Sequence, residues 1–130
     1  MAAQESLSHQ FESVPSPLDY HGFHPDRTQL KDPAAGEGKK HPYFTEPGMV
    51  AFADHSPGRV PGERYIHYVS TRPDQTGKGH AAQVLHQVIK EQKPKSVDWG
   101  LIDNPEMDRV RQRVQAAHPD LTFRHKQGWR

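Results

Sequence analysis

From Gly48 onward the apolar positions fall into short runs, Met49-Val50-Ala51-Phe52-Ala53 and Tyr65-Ile66-His67-Tyr68-Val69-Ser70. Their length and their β-branched and aromatic content predict strands. Between them His55-Ser56-Pro57-Gly58-Arg59-Val60-Pro61-Gly62 is rich in turn formers, which predicts an antiparallel hairpin with a long loop. The period then changes. Ala81, Val84, Leu85, Val88 and Ile89 lie at helical spacing, with Gln83, Gln87, Lys90 and Glu91 on the other face, so a helix is expected from about Gly79 to Gln92, stopped by Pro94. Val97, Trp99 and Leu101 alternate on one side of the next strand, and Asp98 is expected to point away from them as an exposed carboxylate. Asp103 or Asn104 then caps a second helix, with Pro105 in its first turn, a stripe of Met107, Val110, Val114 and Ala117, and a stop at His118-Pro119. A short strand, Leu121 to Arg124, follows. Strand, helix, strand in this order implies a parallel pair.

The first 47 residues read differently. Pro15, Pro17, Pro25, Pro33, Pro42 and Pro47, half of the chain's prolines, fall there with the run Asp32 to Lys40. Proline removes an amide donor and fixes φ, so no long element is expected, apart from a short helix through Leu7, Phe11 and Val14. The division is therefore residues 1–47 as a proline-rich irregular arm, open to a protein partner, and 48–130 as the folded domain.

Composition narrows the classes. The apolar fraction is 32%, so the core is small. Seventeen Lys and Arg against sixteen Asp and Glu leave +1, which argues against nucleic acid as a partner. No cysteine is present, which excludes disulfides and thiolate chemistry and fits a cytoplasmic setting. No apolar run reaches membrane-spanning length, and the N-terminus has no leader pattern.

The chemistry concentrates after the second strand, in Arg72-Pro73-Asp74-Gln75-Thr76-Gly77-Lys78-Gly79-His80-Ala81. Two glycines one residue apart permit a tight turn and close approach of backbone amides to a ligand. A helix begins inside the turn, and its unpaired N–H groups and dipole favour an anion such as pyrophosphate. Taken alone, the same glycines also fit a bare tight turn.

The order of these pieces, Tyr65-Ile66-His67-Tyr68-Val69, Arg72-Pro73, Thr76-Gly77-Lys78-Gly79-His80-Ala81, Val84-Leu85 and then the strand and Asn104-led helix, resembles the GNAT family of N-acetyltransferases over about residues 48–128. The resemblance implies a mixed α/β (α+β) sheet with packed helices and acetyl-CoA as co-substrate for an amine acceptor. It further implies that amides of Gly77, Lys78, Gly79, His80 and Ala81 bind the acyl-CoA pyrophosphate, that Tyr68, Val69 and Ser70 offer backbone groups to the pantetheine arm, and that Asn104 belongs to the cofactor site. The sequence departs from the family at Thr76, where Arg or Gln is usual, and in having no tyrosine after Tyr68 to protonate the departing thiolate. Arg111 and Gln112 stand in that region, and residues 1–47 lack the usual pair of acceptor-side helices.

Amine acetylation needs a base, and Glu63 and His67 are the candidates beside the turn. His21 and His24 would need His41 or His55 to complete a metal site, so no metal is expected. Two functions follow: an acetyl-CoA-dependent N-acetyltransferase, or a non-catalytic module that binds partners through the arm and the C-terminal helix.

Overall fold

A computed structural model of the chain describes Phe23, Pro25 and residues 38–46 and 48–128. Its elements run β1 (Lys39–Thr45), β2 (Gly48–Pro57), β3 (Glu63–Thr71), a 3-10 turn (Pro73–Gln75), α1 (His80–Gln92), β4 (Ser96–Ile102), α2 (Pro105–Ala117) and β5 (Thr122–Gln127). The expected short helix through Leu7, Phe11 and Val14, and His21 and His24, lie outside the described residues.

The five strands form one mixed α/β sheet in chain order. β1, β2 and β3 pair antiparallel, whereas β3 with β4 and β4 with β5 pair parallel. The β3–β4 pairing covers only Glu63↔Ser96, Arg64↔Val97 and Tyr65↔Asp98, although both strands continue well beyond it.

Two extra residues explain why the strands part. Ile66 pairs with His55 and Tyr68 with Asp54, so His67 is one residue too many on β3. In β4, Asp98 pairs with Arg124 and Leu101 with Lys126, so one residue is surplus there as well, beside Gly100 at φ +68°. Gly100 N–H donates to the Asp98 carboxylate at 2.9 Å, which closes the kink. An unpaired residue bends its strand and sharpens the local twist. With both strands bulged just past their last shared pair, they diverge into a wedge.

Val84, Leu85 and Val88 of α1 are almost fully buried against Ala51, Ala53, Ile66, Val97 and Trp99. Full burial of such a side chain is worth roughly 1.5–3 kcal/mol. α1 ends where Lys93 takes a left-handed φ of 49° and its N–H returns to the Ile89 carbonyl, just before Pro94. α2 starts at Asn104, whose side chain accepts from Met107 N–H at 2.7 Å. A second cluster joins Phe23, Met49 and Phe52 with Tyr68. β2 is buried over nearly its whole length because it lies between these two clusters.

Three expectations are corrected. The stretch before residue 48 does form a regular element: β1 pairs with β2 from Lys39↔His55 to Thr45↔Gly48, so the sheet crosses the expected boundary. Pro42 is tolerated because β1 is an edge strand, where a missing donor need not break a ladder. Phe23 is buried as well. Leu101 leaves the apolar side and is 50% exposed, because the bulge inverts the alternation and turns Ile102 inward. Asp98 is buried rather than exposed, for reasons given below. Among the described residues, no helix is long and apolar enough to cross a membrane.

Candidate functional site

The wedge between β3 and β4 is a cavity of about 560 Å³. Residues 66–71 of β3, apart from Ser70, form one wall and residues 99–102 of β4, apart from Gly100, the other; the glycine turn, the start of α1 and one face of α2 close its far end. Of the expected cofactor residues, Tyr68, Val69, Gly77, Gly79, His80, Ala81 and Asn104 all line it. Ser70 and Lys78 do not; Lys78 instead reaches Gln75 in a long contact of 3.5 Å.

The turn is built around its glycines. Gly77 and Gly79 have φ of +78° and +83°, which L side chains rarely adopt. Gly79 is the N-cap of α1 and provides no side-chain cap, so no capping side chain occupies the first amides of the helix, whose opening residues Gly79, His80 and Ala81 line the cavity. The approach to the turn is fixed by Arg72, which donates from Nε and Nη2 to the two carboxylate oxygens of Asp74 at 2.7 and 3.2 Å. That pair holds the Asp74 carboxyl below its ordinary pKa. Arg72 N–H also donates to the Val50 carbonyl, tying the turn to the central strand.

Cations come from the opposite side of the cavity. Arg109 and Arg113 of α2 line it, and Arg113 Nη1 lies 3.4 Å from where a β-carbon on Gly79 would sit. Their spacing of four along α2 placed them on one side, but only the tertiary packing brings that side over the glycines.

His67, the bulged residue, is 2% exposed and its Nε2 lies 2.7 Å from Ser56 Oγ. Its ring meets Tyr65 edge-on at 4.7 Å. Ser56 was not singled out from the sequence, where it sits in a stretch read as loop. The signal that could have found it is its position on β2, since His55 and Ser56 continue that strand against Ile66 and Tyr65.

Glu63 is placed differently. It is buried and lines neither this cavity nor the one behind it. Its carboxylate accepts from Arg124 Nε and Nη2 at 2.8 and 3.0 Å and from Arg59 N–H at 2.8 Å. The bond to Arg124, outweighing burial, keeps its pKa low. A carboxylate so occupied is a structural anchor and not a ready base. His55 is also withdrawn from chemistry: burial, then Arg64, lowers its pKa to about 4, and its Nδ1 accepts from Arg64 Nε at 3.0 Å. His41 reaches Gln87 and Glu91 on α1. Among the described residues, no group of three or more His, Cys, Asp or Glu side chains could hold a metal.

In the positions where a tyrosine was sought, Arg111 donates to Asp108 at 2.7 Å and Gln112 to the other oxygen of Asp108 at 2.9 Å. Both are committed to the helix they stand on.

The sheet and cleft define a mixed α/β domain with a wedge between two parallel strands and a glycine turn at a helix start. No family model and no curated protein matches the chain. Among solved structures, a chain assigned to the GNAT acetyltransferase family from Bacteroides thetaiotaomicron is similar at 12% identity and a TM-score of 0.46, over 88% of this chain and 66% of that one. This chain therefore spans just under two thirds of that neighbour's length. A likeness so distant says nothing about chemistry.

Proposed function

We propose that the protein binds acetyl-CoA in the wedge and transfers the acetyl group to an amine. The observation that carries this reading is the convergence of a strand wedge with an uncapped helix start at Gly79 and two arginines on α2. A wedge accepts a thin flexible arm, while amides and guanidinium groups suit phosphates. Asn104, Tyr68 and Val69 also line the wedge.

In this reading the amine nitrogen attacks the thioester carbonyl, an N–C bond forms, and the C–S bond breaks. An ammonium acceptor loses two protons overall, one passing to the thiolate and one to solvent. His67 is the candidate to take the first, directly or through water, because it lies where the strands part. Ser56 positions its ring. Glu63 is set aside because Arg124 and the Arg59 amide occupy its carboxylate.

A second reading, a CoA-binding module without catalysis, is favoured by one observation. Arg111 and Gln112 are both tied to Asp108, so α2 offers neither of them as an acid for the thiolate.

Thermal unfolding with acetyl-CoA, with CoA and without ligand tests the binding step. At a hundredfold excess over its dissociation constant a ligand stabilises the native state by about 2.7 kcal/mol, a shift of several degrees in a domain of this size. No shift at millimolar acetyl-CoA removes both readings. A shift without CoA release on any amine leaves the non-catalytic module.

A further inference from the structure

Behind the wedge lies a second cavity of about 670 Å³, built from the β2–β3 loop, Tyr65, Asp98 and the β5 residues Arg124 to Lys126. Its wall shares His67 and Leu101 with the wedge, so the two cavities adjoin where β3 and β4 part. None of the cofactor residues considered above lines it.

Its charge is specific. The two carboxylates nearby, Asp98 and Glu63, are buried and already taken. Asp98 accepts from Gly100 N–H and lies 3.3 Å from Arg124 Nη2 and 3.6 Å from Arg59 Nη2. Glu63 holds the other side of Arg124. A substrate ammonium at either one would have to compete with the arginines already there. Three permanent cations, Arg59, Arg124 and Lys126, line the cavity against those two carboxylates. Arg59 gives only one long contact to Asp98 and keeps its side chain 77% exposed. Arg124 and Lys126 are two apart on β5, so they share a face. The excess cationic capacity therefore belongs to Arg59 and Lys126.

The geometry points to an acceptor class: the second cavity takes a small primary amine that also carries an anionic group, a carboxylate or a phosphate. The anion lies toward Arg59 and Lys126 and the amine toward His67. The inference rests on the acetyl-transfer reading for the word acceptor, but the anion preference is a property of the cavity alone. A neutral or cationic amine would leave Lys126 to solvent and Arg59 with its single long contact to Asp98. The volume fits a small molecule of this kind.

Matched pairs of amines test it: O-phosphoethanolamine with ethanolamine, and β-alanine with propylamine. Dissociation constants are measured by titration calorimetry or NMR shifts on the full chain, with and without saturating CoA. The anionic member of at least one pair is expected to bind tenfold or more tightly, and which pair shows it separates phosphate from carboxylate. Arg59→Gln and Lys126→Gln should each erase most of that preference without changing the thermal shift given by acetyl-CoA, and Arg59→Lys should restore part of it. Equal binding within both pairs, no binding by any of the four, or a preference that survives both glutamine substitutions overturns the inference. If acetyl-CoA fails to bind while the anion preference and its loss in the variants persist, the transfer reading falls and the anion-binding amine site stands.

Discussion

Ser56 Oγ and His67 Nε2 meet at 2.7 Å between two buried residues, at the point where β3 carries its extra residue. The contact constrains the imidazole of a residue that the bulge turns toward both cavities. Ser56→Ala removes the partner and leaves a buried ring nitrogen to find another. We expect a stability loss of about 1–3 kcal/mol in urea unfolding. If His67 is the base, kcat falls tenfold or more while the acetyl-CoA dissociation constant is unchanged, and Ser56→Thr recovers part of the rate. A stability loss with unaltered kcat would leave Ser56 a packing residue only.

Glu63 and Arg124 hold the base of the hairpin to the last strand. Gly58 makes this possible, since a β-carbon there would lie 2.3 Å from Glu63 Oε1. Arg124→Ala leaves a buried carboxylate unpaired. Because the Arg124 side chain is 43% exposed, the loss is smaller than for a fully buried pair but large enough to lower the denaturation midpoint measurably. Chemical denaturation of the variant checks this; an unchanged midpoint would mean that water replaces the guanidinium.

Among the described residues, depressed pKa values of His55 and His86 and of the carboxylates Glu63, Asp74 and Asp108 shape the acid limb of stability, with His55 and Glu63 the most buried of them. A group with a folded-state pKa below its unfolded value stabilises the native state above the unfolded value, and the contribution is lost as pH falls through the folded one. For His55 that window runs from 6.5 down to about 4. Glu63 adds a second loss beginning near 4.5. Stability should thus decline on acidification from pH 6.5, on the order of 1 kcal/mol per unit at first, and more steeply below about 4.5, where the unfolded chain takes up a proton that folded Glu63 still refuses. His55→Gln should reduce the slope in the upper part of the curve, His86 keeping its own smaller share. A wild-type profile level from pH 7 to 4.5 would contradict this account.

Much of the fold was legible because local signals and tertiary needs agree. The period of Val84, Leu85, Val88 and Ile89 marks α1 since those same residues are the core. Asn104-Pro105 marks α2 because an asparagine acceptor and a proline without N–H suit a helix start whatever packs around it. The glycine turn was readable for the same local reason, its two positive φ angles. What failed depended on distant partners. Pro42 is acceptable because, among the described residues, no strand lies beyond β1, Leu101 turns outward only because of the bulge at Gly100, and Asp98 is buried only because two arginines from elsewhere in the chain meet it. No window of sequence contains those relations.

Leu85 is 1% exposed at the centre of the main cluster. Leu85→Ala should cost about 2–5 kcal/mol, depending on how far α1 and the sheet close over the space. An effect on unfolding free energy under 1 kcal/mol would show that α1 is not docked as described.

Gly77 and Gly79 look alike in sequence, yet they ask different things of a substituent. A β-carbon at Gly77 would meet nothing within 4 Å, so only its φ of +78° resists replacement. At Gly79 the same carbon would lie 3.4 Å from Arg113 Nη1, on the cavity side of the helix start, and φ is +83°. Holding an alanine in that region costs about 1–2 kcal/mol at either site. Asparagine enters it more readily, so Gly77→Asn should lose little stability and keep the thermal shift with CoA. Gly79→Asn should be comparably folded, since Arg113 ends a flexible side chain, but it should displace that guanidinium and crowd the amides of His80 and Ala81. We expect its CoA dissociation constant to rise tenfold or more while that of Gly77→Asn changes less than threefold. Equal weakening in the two variants would mean that the turn's conformation alone matters, and that Arg113 and the helix start do not hold the phosphates.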